Sequence, residues 1–266
     1  MPSPPVRPGR KKVAPGCRGG ASDHNVLRKS NAGHGIRHMF RFATRESQVA
    51  ALMTTAVVAP MAARAQSPEA PPVRLGSAAE AESLLVDLRA ADSTIRVAVR
   101  YAGRDNFMGE PLPGYESATR AWLRREAAAA LGRVQRRLAT GGLGLLVWDG
   151  YRPVRASEAM VVWAERTGQQ WMLDSGYVAR RSRHNLGLAV DLTLVDLVSG
   201  YPLDLGTPYD TFDARAHTAN ATGRVRTLRR VLVRAMEAEG FVNYEREWWH
   251  FSFAVPDPVA FDVPSR

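Results

Sequence analysis

The sequence predicts an α+β domain, a single unit with a mainly antiparallel sheet flanked by helices. Segments with strand patterning fall at 95–101, 143–148, 188–195 and 241–253, and they do not alternate evenly with helical segments as a parallel α/β sheet requires. The last of them divides into Phe241 to Tyr244 and Trp248 to Phe253, two short runs placed to pair with each other. There is no internal repeat and no glycine-rich phosphate loop.

Each element has its own signal. Ser77-Ala-Ala-Glu80 is a capping-box pattern ahead of a helix to about Ala91. From Ile95 to Tyr101, Ile95, Val97, Val99 and Tyr101 alternate with Arg96, Ala98 and Arg100, the mark of a half-buried strand. Gly103 to Tyr115 reads as loop. Thr119 to Ala139 reads as a long helix stopped by Gly141 and Gly142. The apolar run Leu143 to Trp148 suits a buried strand, and Val154 to Gln170 a helix entered through Pro153. Residues 171–187 are irregular, Leu188 to Val195 is a strand, and 196–220 a long loop of the kind that often carries function. Gly223 to Glu239 is an amphipathic helix closed by Gly240.

Composition narrows the functional classes. The 266 residues are 45% hydrophobic and include six Trp, so the chain is not disordered throughout. The single cysteine, Cys17, excludes a disulfide framework and a cysteine-based zinc knuckle. The net charge of +10 suggests nucleic acid until it is located. Residues 1–65 hold eleven Lys and Arg against two acids, whereas 66–266 hold twenty-five Arg against twenty-four acids. The nearly neutral remainder offers no electrostatic reason to bind phosphate backbones. The face Arg224, Arg226, Arg229, Arg230 and Arg234 reads as solvated.

The basic end reads as a targeting segment. Residues 1–38 are rich in Pro, Gly, Arg and Lys and are expected to be disordered. A basic run beginning at Met39, an apolar stretch from Val49 to Ala63 and the small-x-small site Ala63-Arg64-Ala65 follow in the order of a secretory signal. The expected true start is Met39, with cleavage after Ala65, a linker at 66–76 and the folded domain at 77–266. The mature protein is then expected in the periplasm or outside the cell, without stable membrane insertion, with the cytoplasm as the alternative. No apolar run reaches the roughly 18 residues of a conventional span.

Two short segments carry the chemistry. One is Ser182-x-His184-x-x-Gly187-x-Ala189-x-Asp191; the other is Glu247-Trp248-Trp249-His250. Two His and one Asp can supply three zinc ligands and leave a fourth position for water, and a nearby acid can take that water's proton. Spacing constrains their placement. Positions an odd number apart on a regular strand face opposite ways, so His184 must lie in a turn before the strand of Asp191. Glu247 must likewise lie in a turn or bulge before the strand of His250. Asp191 sits among apolar neighbours and needs a partner, a metal ion or an arginine. Trp248 and Trp249 read as packing, and His217, the third histidine after residue 65, as non-catalytic.

The pair of motifs resembles the zinc D,D-peptidases. Tyr101-Ala-Gly-Arg-Asp-Asn-Phe107, Trp148-Asp149-Gly-Tyr-Arg152-Pro153 and Gly206-Thr-Pro-Tyr-Asp210 resemble their D-alanyl-D-alanine dipeptidase branch, over about Asp87 to Phe261. The resemblance implies one zinc ion held by His184, Asp191 and His250, with Glu247 as general base and Arg152 stabilising the developing oxyanion. It implies that Tyr101 and Asp210 receive the substrate's free amino group and that Ser182 lies near the substrate as a hydrogen-bonding residue. The partner it implies is a small dipeptide. The N-terminal extension is the departure from that branch and points to cell-wall dipeptide salvage. A D,D-carboxypeptidase or cell-wall endopeptidase, or a non-catalytic zinc-binding module, are the alternatives.

Overall fold

The computed structural model describes residues 74–266. The basic extension, the signal and most of the 66–76 linker lie outside the described residues. The end of that linker is already docked: Leu75 bridges Ala260, and Gly76 N donates to Ala260 O.

In chain order the elements are α1 (Ala78–Leu84), β1 (Leu85–Asp87), α2 (Leu88–Ala91), β2 (Arg96–Val97), β3 (Trp122–Arg124), α3 (Arg125–Ala139), β4 (Leu143–Asp149), α4 (Val154–Arg166), α5 (Gln170–Asp174), β5 (Ala189–Asp196), α6 (Gly223–Glu237), β6 (Val242–Asn243) and β7 (His250–Ser252). The capping box of α1 forms as its sequence predicts: Ser77 Oγ accepts from Glu80 N, and the Glu80 carboxylate accepts from Ser77 N.

Four predicted elements are cut differently. The helix expected to reach Ala91 breaks at Leu85, because β1 pairs antiparallel with β3 and Asp87 then caps α2 by accepting from Arg89 N. The same pairing takes Trp122–Arg124 out of the predicted 119–139 helix. The predicted 95–101 strand keeps only two ladder residues, since Arg100–Ala102 turn into a 3-10 helix that buries Tyr101. The helix from Val154 ends at Arg166, where Gly168 adopts a left-handed conformation before α5 begins.

The main sheet has strand order β2-β4-β5-β7-β6. Only β2 and β4 run parallel; the other three pairs are antiparallel, so the sheet is mixed and mainly antiparallel. Helices α3 and α6 cover one face, where Leu131, Val134, Leu232 and Met236 join Leu145, Val147, Leu192 and Leu194 in the core. By strand alternation Asp191 and Thr193 point to the other face. A bulge in β4 between Val147 and Asp149 leaves Asp149 directly opposite Asp191.

Candidate active site

The central strand β5 carries Asp191, and two turns bring the histidines to it. His184 lies in a 3-10 turn, Arg183–Leu186. Ser182 caps that turn by accepting from His184 N, and the Asn185 side chain accepts from Ser182 N in return. The turn ends at Gly187, with φ of 65°, where a Cβ would lie 2.5 Å from Leu85 Cδ2. Glycine is required there by both conformation and space. His250 opens β7 and stands opposite Asp191 in register. Glu247 occupies the preceding turn, its N donating to Tyr244 O and its carbonyl accepting from His250 N. Both turn placements argued from odd spacing are realised.

Asp191 Oδ1 lies 2.9 Å from His250 Nδ1 and 3.4 Å from His184 Nε2, and those two nitrogens are 3.2 Å apart. His184 Nδ1 donates to Gly150 O at 2.7 Å, which directs the Nε2 lone pair at the cluster. Tetrahedral ligands about 2.0–2.1 Å from zinc stand about 3.3–3.4 Å from one another. Two imidazole nitrogens and one carboxylate oxygen at these separations therefore fit such an ion. The other Asp191 oxygen accepts from Tyr209 OH at 2.9 Å. Burial alone would raise the Asp191 pKa, but the two imidazoles outweigh it and hold the carboxyl well below its usual range. Burial lowers His250, which favours the neutral, ligating form.

Arg152 is held by Asp149, with Nε and Nη2 donating to Oδ2 at 3.0 and 2.8 Å. Tyr115 OH donates to the other Asp149 oxygen at 2.6 Å. Asp149 thus acts as the buried partner that orients the arginine. The guanidinium lies 5.0 Å from the Tyr101 ring centre and 3.8 Å from Asp191 Oδ2, so it faces the ligand cluster. Tyr101 OH donates to Asp210 Oδ1 at 3.1 Å. Asp210 takes a positive φ of 58°, uncommon outside glycine, and burial together with the Asp191 charge pushes its pKa up to about 7. Burial and the charges of Asp191 and Asp210 push Glu247 well above the usual range, against the pull of Arg152. Its Oε2 is 3.9 Å from His250 Nδ1.

All eight residues singled out in the sequence line one cavity of about 510 Å3: Tyr101, Arg152, Ser182, His184, Asp191, Asp210, Glu247 and His250. A second cavity of about 400 Å3 shares Phe107 and Asp210 as a wall, and none of His184, Asp191 and His250 faces it. Trp249 also lines the first cavity, while both Trp248 and Trp249 are buried in the core. His217 meets Tyr177 OH through Nε2 at 3.1 Å.

Two residues were misjudged or missed. Arg229, counted on a solvated face, is buried: it donates to Leu205 O, His217 O and Arg215 O and lies over the Trp248 ring. It clamps the long loop, and that contact depends on how the loop folds back, which helix periodicity does not encode. Tyr209 stacks on Trp148 at 4.8 Å while its hydroxyl reaches Asp191. Its only signal was its place beside Asp210 in the Gly-Thr-Pro-Tyr-Asp run.

The model of a peptidase family described as D-Ala-D-Ala dipeptidase matches residues 81–260. A D-alanyl-D-alanine dipeptidase of Streptomyces coelicolor is 39% identical over 189 residues, covering 65% of this chain and 93% of that protein. One of Escherichia coli is 35% identical over 169 residues, covering 63% and 83%. Among solved structures, the vancomycin-resistance D,D-pentapeptidase VanY with Zn(II) overlaps 54% of this chain and 83% of its own, at 18% identity and a TM-score of 0.33. With its family model matched across the sheet and both motifs, the chain belongs to the D-Ala-D-Ala dipeptidase family of peptidases, which are hydrolases.

Proposed function

We propose that this protein hydrolyses D-Ala-D-Ala, or a closely related D,D-dipeptide, with a zinc ion held by His184 Nε2, Asp191 and His250 Nδ1. The observation that carries the reading is the convergence of these three atoms, within 4.8 Å of one another, in a cavity that also holds Glu247 and Arg152. The names of the relatives supply the substrate class.

A zinc ion bound there supplies Lewis acidity that acidifies water and polarises a carbonyl. Glu247 accepts the proton of the attacking water as its oxygen bonds to the peptide carbon. Standing beside the cluster, it then delivers that proton to the departing amine as the C–N bond breaks. Arg152, fixed by Asp149, presents a cation to the oxygen on which negative charge develops. Asp210 and Tyr101 OH face the cavity together and receive the substrate ammonium. Ser182 lines the same cavity, although its hydroxyl also serves the turn that carries His184.

The decisive experiment uses protein beginning at Gln66, metal-loaded or chelated, with D-Ala-D-Ala beside an N-acylated peptide ending in D-Ala-D-Ala. Metal-dependent cleavage of the free dipeptide alone is expected; cleavage of the blocked peptide would make it a carboxypeptidase instead. Glu247→Gln should cut turnover about 10²–10⁴-fold while leaving the bound metal in place, as read by elemental analysis. We further propose that the protein is exported and salvages cell-wall dipeptides, a role suited to an enzyme outside the cytoplasm. Secreted material starting at Gln66 on N-terminal sequencing supports export, and material starting at Met1 or Met39 opposes it.

A further inference from the structure

A dipeptide carries a carboxylate as well as an ammonium, and the cavity must answer both. Three acids face it, Asp191, Asp210 and Glu247, so even with a metal ion among them a substrate carboxylate gains from a cation of its own. The lining holds three arginines: Arg152, Arg181 and Arg183. Arg152 is committed to Asp149 and to the reacting centre. Arg181 is exposed, and a solvated side chain contributes little to holding a charge.

Arg183 differs from both. It belongs to the 3-10 turn between Ser182 and His184, both of which line the cavity. Its Nη2 donates to the Phe253 carbonyl, which fixes the guanidinium at one corner. Its Nε is buried and has no hydrogen-bond partner among the described residues. That donor is closed off from a ligand as well, whereas Nη1 makes no hydrogen bond to the described residues and is not closed off, so the anchored guanidinium presents Nη1 to an oxyanion in the cavity.

We propose that Arg183 receives the C-terminal carboxylate of the dipeptide and so sets the requirement for a free acid at that end. This rests on the dipeptidase reading of the same cavity and adds the second half of substrate recognition to it. Arg183 is a specificity residue: it binds the end of the substrate away from the ammonium pocket and takes no proton.

The test measures binding in the zinc-loaded Glu247→Gln protein, where the ligand is not consumed. Calorimetry is run with D-Ala-D-Ala and with D-Ala-D-Ala amide. The acid should bind about 10–100-fold more tightly than the amide. Adding Arg183→Gln should erase that ratio by weakening the acid alone. Arg183→Lys should restore part of it, and it retains the charge should the Gln variant fold poorly. Arg181→Gln should leave the ratio within about threefold. The proposal is overturned if Arg183→Gln weakens acid and amide equally, if the ratio survives it, or if neither ligand binds. Turnover by the unmutated protein judges the dipeptidase reading separately. Loss of acid preference in Arg183→Gln, together with no hydrolysis by the parent, would retain Arg183 as the carboxylate receptor and remove the reaction.

Discussion

Asp210 shows how a single side chain can be set against stability at a place where the proposed reaction needs a charge. It is enclosed beside the negative charge of Asp191, and its backbone adopts a left-handed conformation. Its pKa, pushed up to about 7 from 3.8, lies above its unfolded value. The unfolded chain therefore loses this proton first, and a stability penalty develops as pH rises from about 4 towards 7. The penalty is fully present at pH 8, whereas the ionised carboxylate is what attracts an ammonium. Asp210→Asn keeps an acceptor for Tyr101 OH and a residue that tolerates positive φ. Melting curves should show this variant more stable than its parent at pH 8 and no more stable at pH 4. Its KM for D-Ala-D-Ala should rise at least about tenfold, the scale of a lost charge-assisted contact. In the parent, KM should fall as pH rises through about 7. The convergence of His184, Asp191, Glu247 and His250 was legible because motif spacing and strand parity restrict where they can meet, whereas Tyr101, Arg152, Ser182 and Asp210 entered only through the family resemblance. Tyr209 and Arg229 were not legible, since their partners are set by the path of the 202–217 loop.

At the scale of elements, the site depends on short irregular pieces around one regular strand. β5 was legible as an apolar run because it is buried almost throughout. The helix expected from Ser77 to Ala91 was not legible as helix, strand and helix. Its interruption comes from pairing with Trp122–Arg124, a partner distant in sequence. That small β1–β3 ribbon reaches the turn that carries His184 directly: Arg124 N donates to Gly187 O, and Leu85 packs where a Gly187 side chain would go. Gly187→Ala adds a Cβ at positive φ and forces it against Leu85 and the Arg124 backbone. The expected cost is about 2–5 kcal/mol in chemical denaturation, the sum of the backbone and overpacking penalties. Because the strain falls on the turn that holds His184, zinc affinity should fall with it, measured by chelator competition.

Across the whole molecule, charge is divided unevenly: the excess basicity lies before residue 66, and the domain that carries the cavity is near neutral. Among the described residues no helix is long and apolar enough to cross a membrane. Inside the domain the buried acids gather at one place, with Asp149, Asp191 and Glu247 each less than a tenth exposed. A divalent cation bound among them relieves their repulsion and binds only the folded chain. At a thousandfold excess over its dissociation constant such an ion contributes about 4 kcal/mol, and for a domain of this size each kcal/mol moves Tm about 2–4 °C. Chelation should therefore lower Tm by about 8–16 °C, and added zinc should restore it; an unchanged Tm would count against tight metal binding.

The far end of β5 has a practical meaning. Beyond Asp196 the chain turns through Val198, Ser199 and Gly200 before Tyr201, with Val198 94% exposed and Gly200 N donating to Asp196 O. Five strand residues at about 3.3 Å each put this tip roughly 17 Å from Asp191, at the opposite end of the strand. An affinity tag or fluorophore grafted between Val198 and Ser199 would therefore sit well away from the cluster of His184, Asp191 and His250.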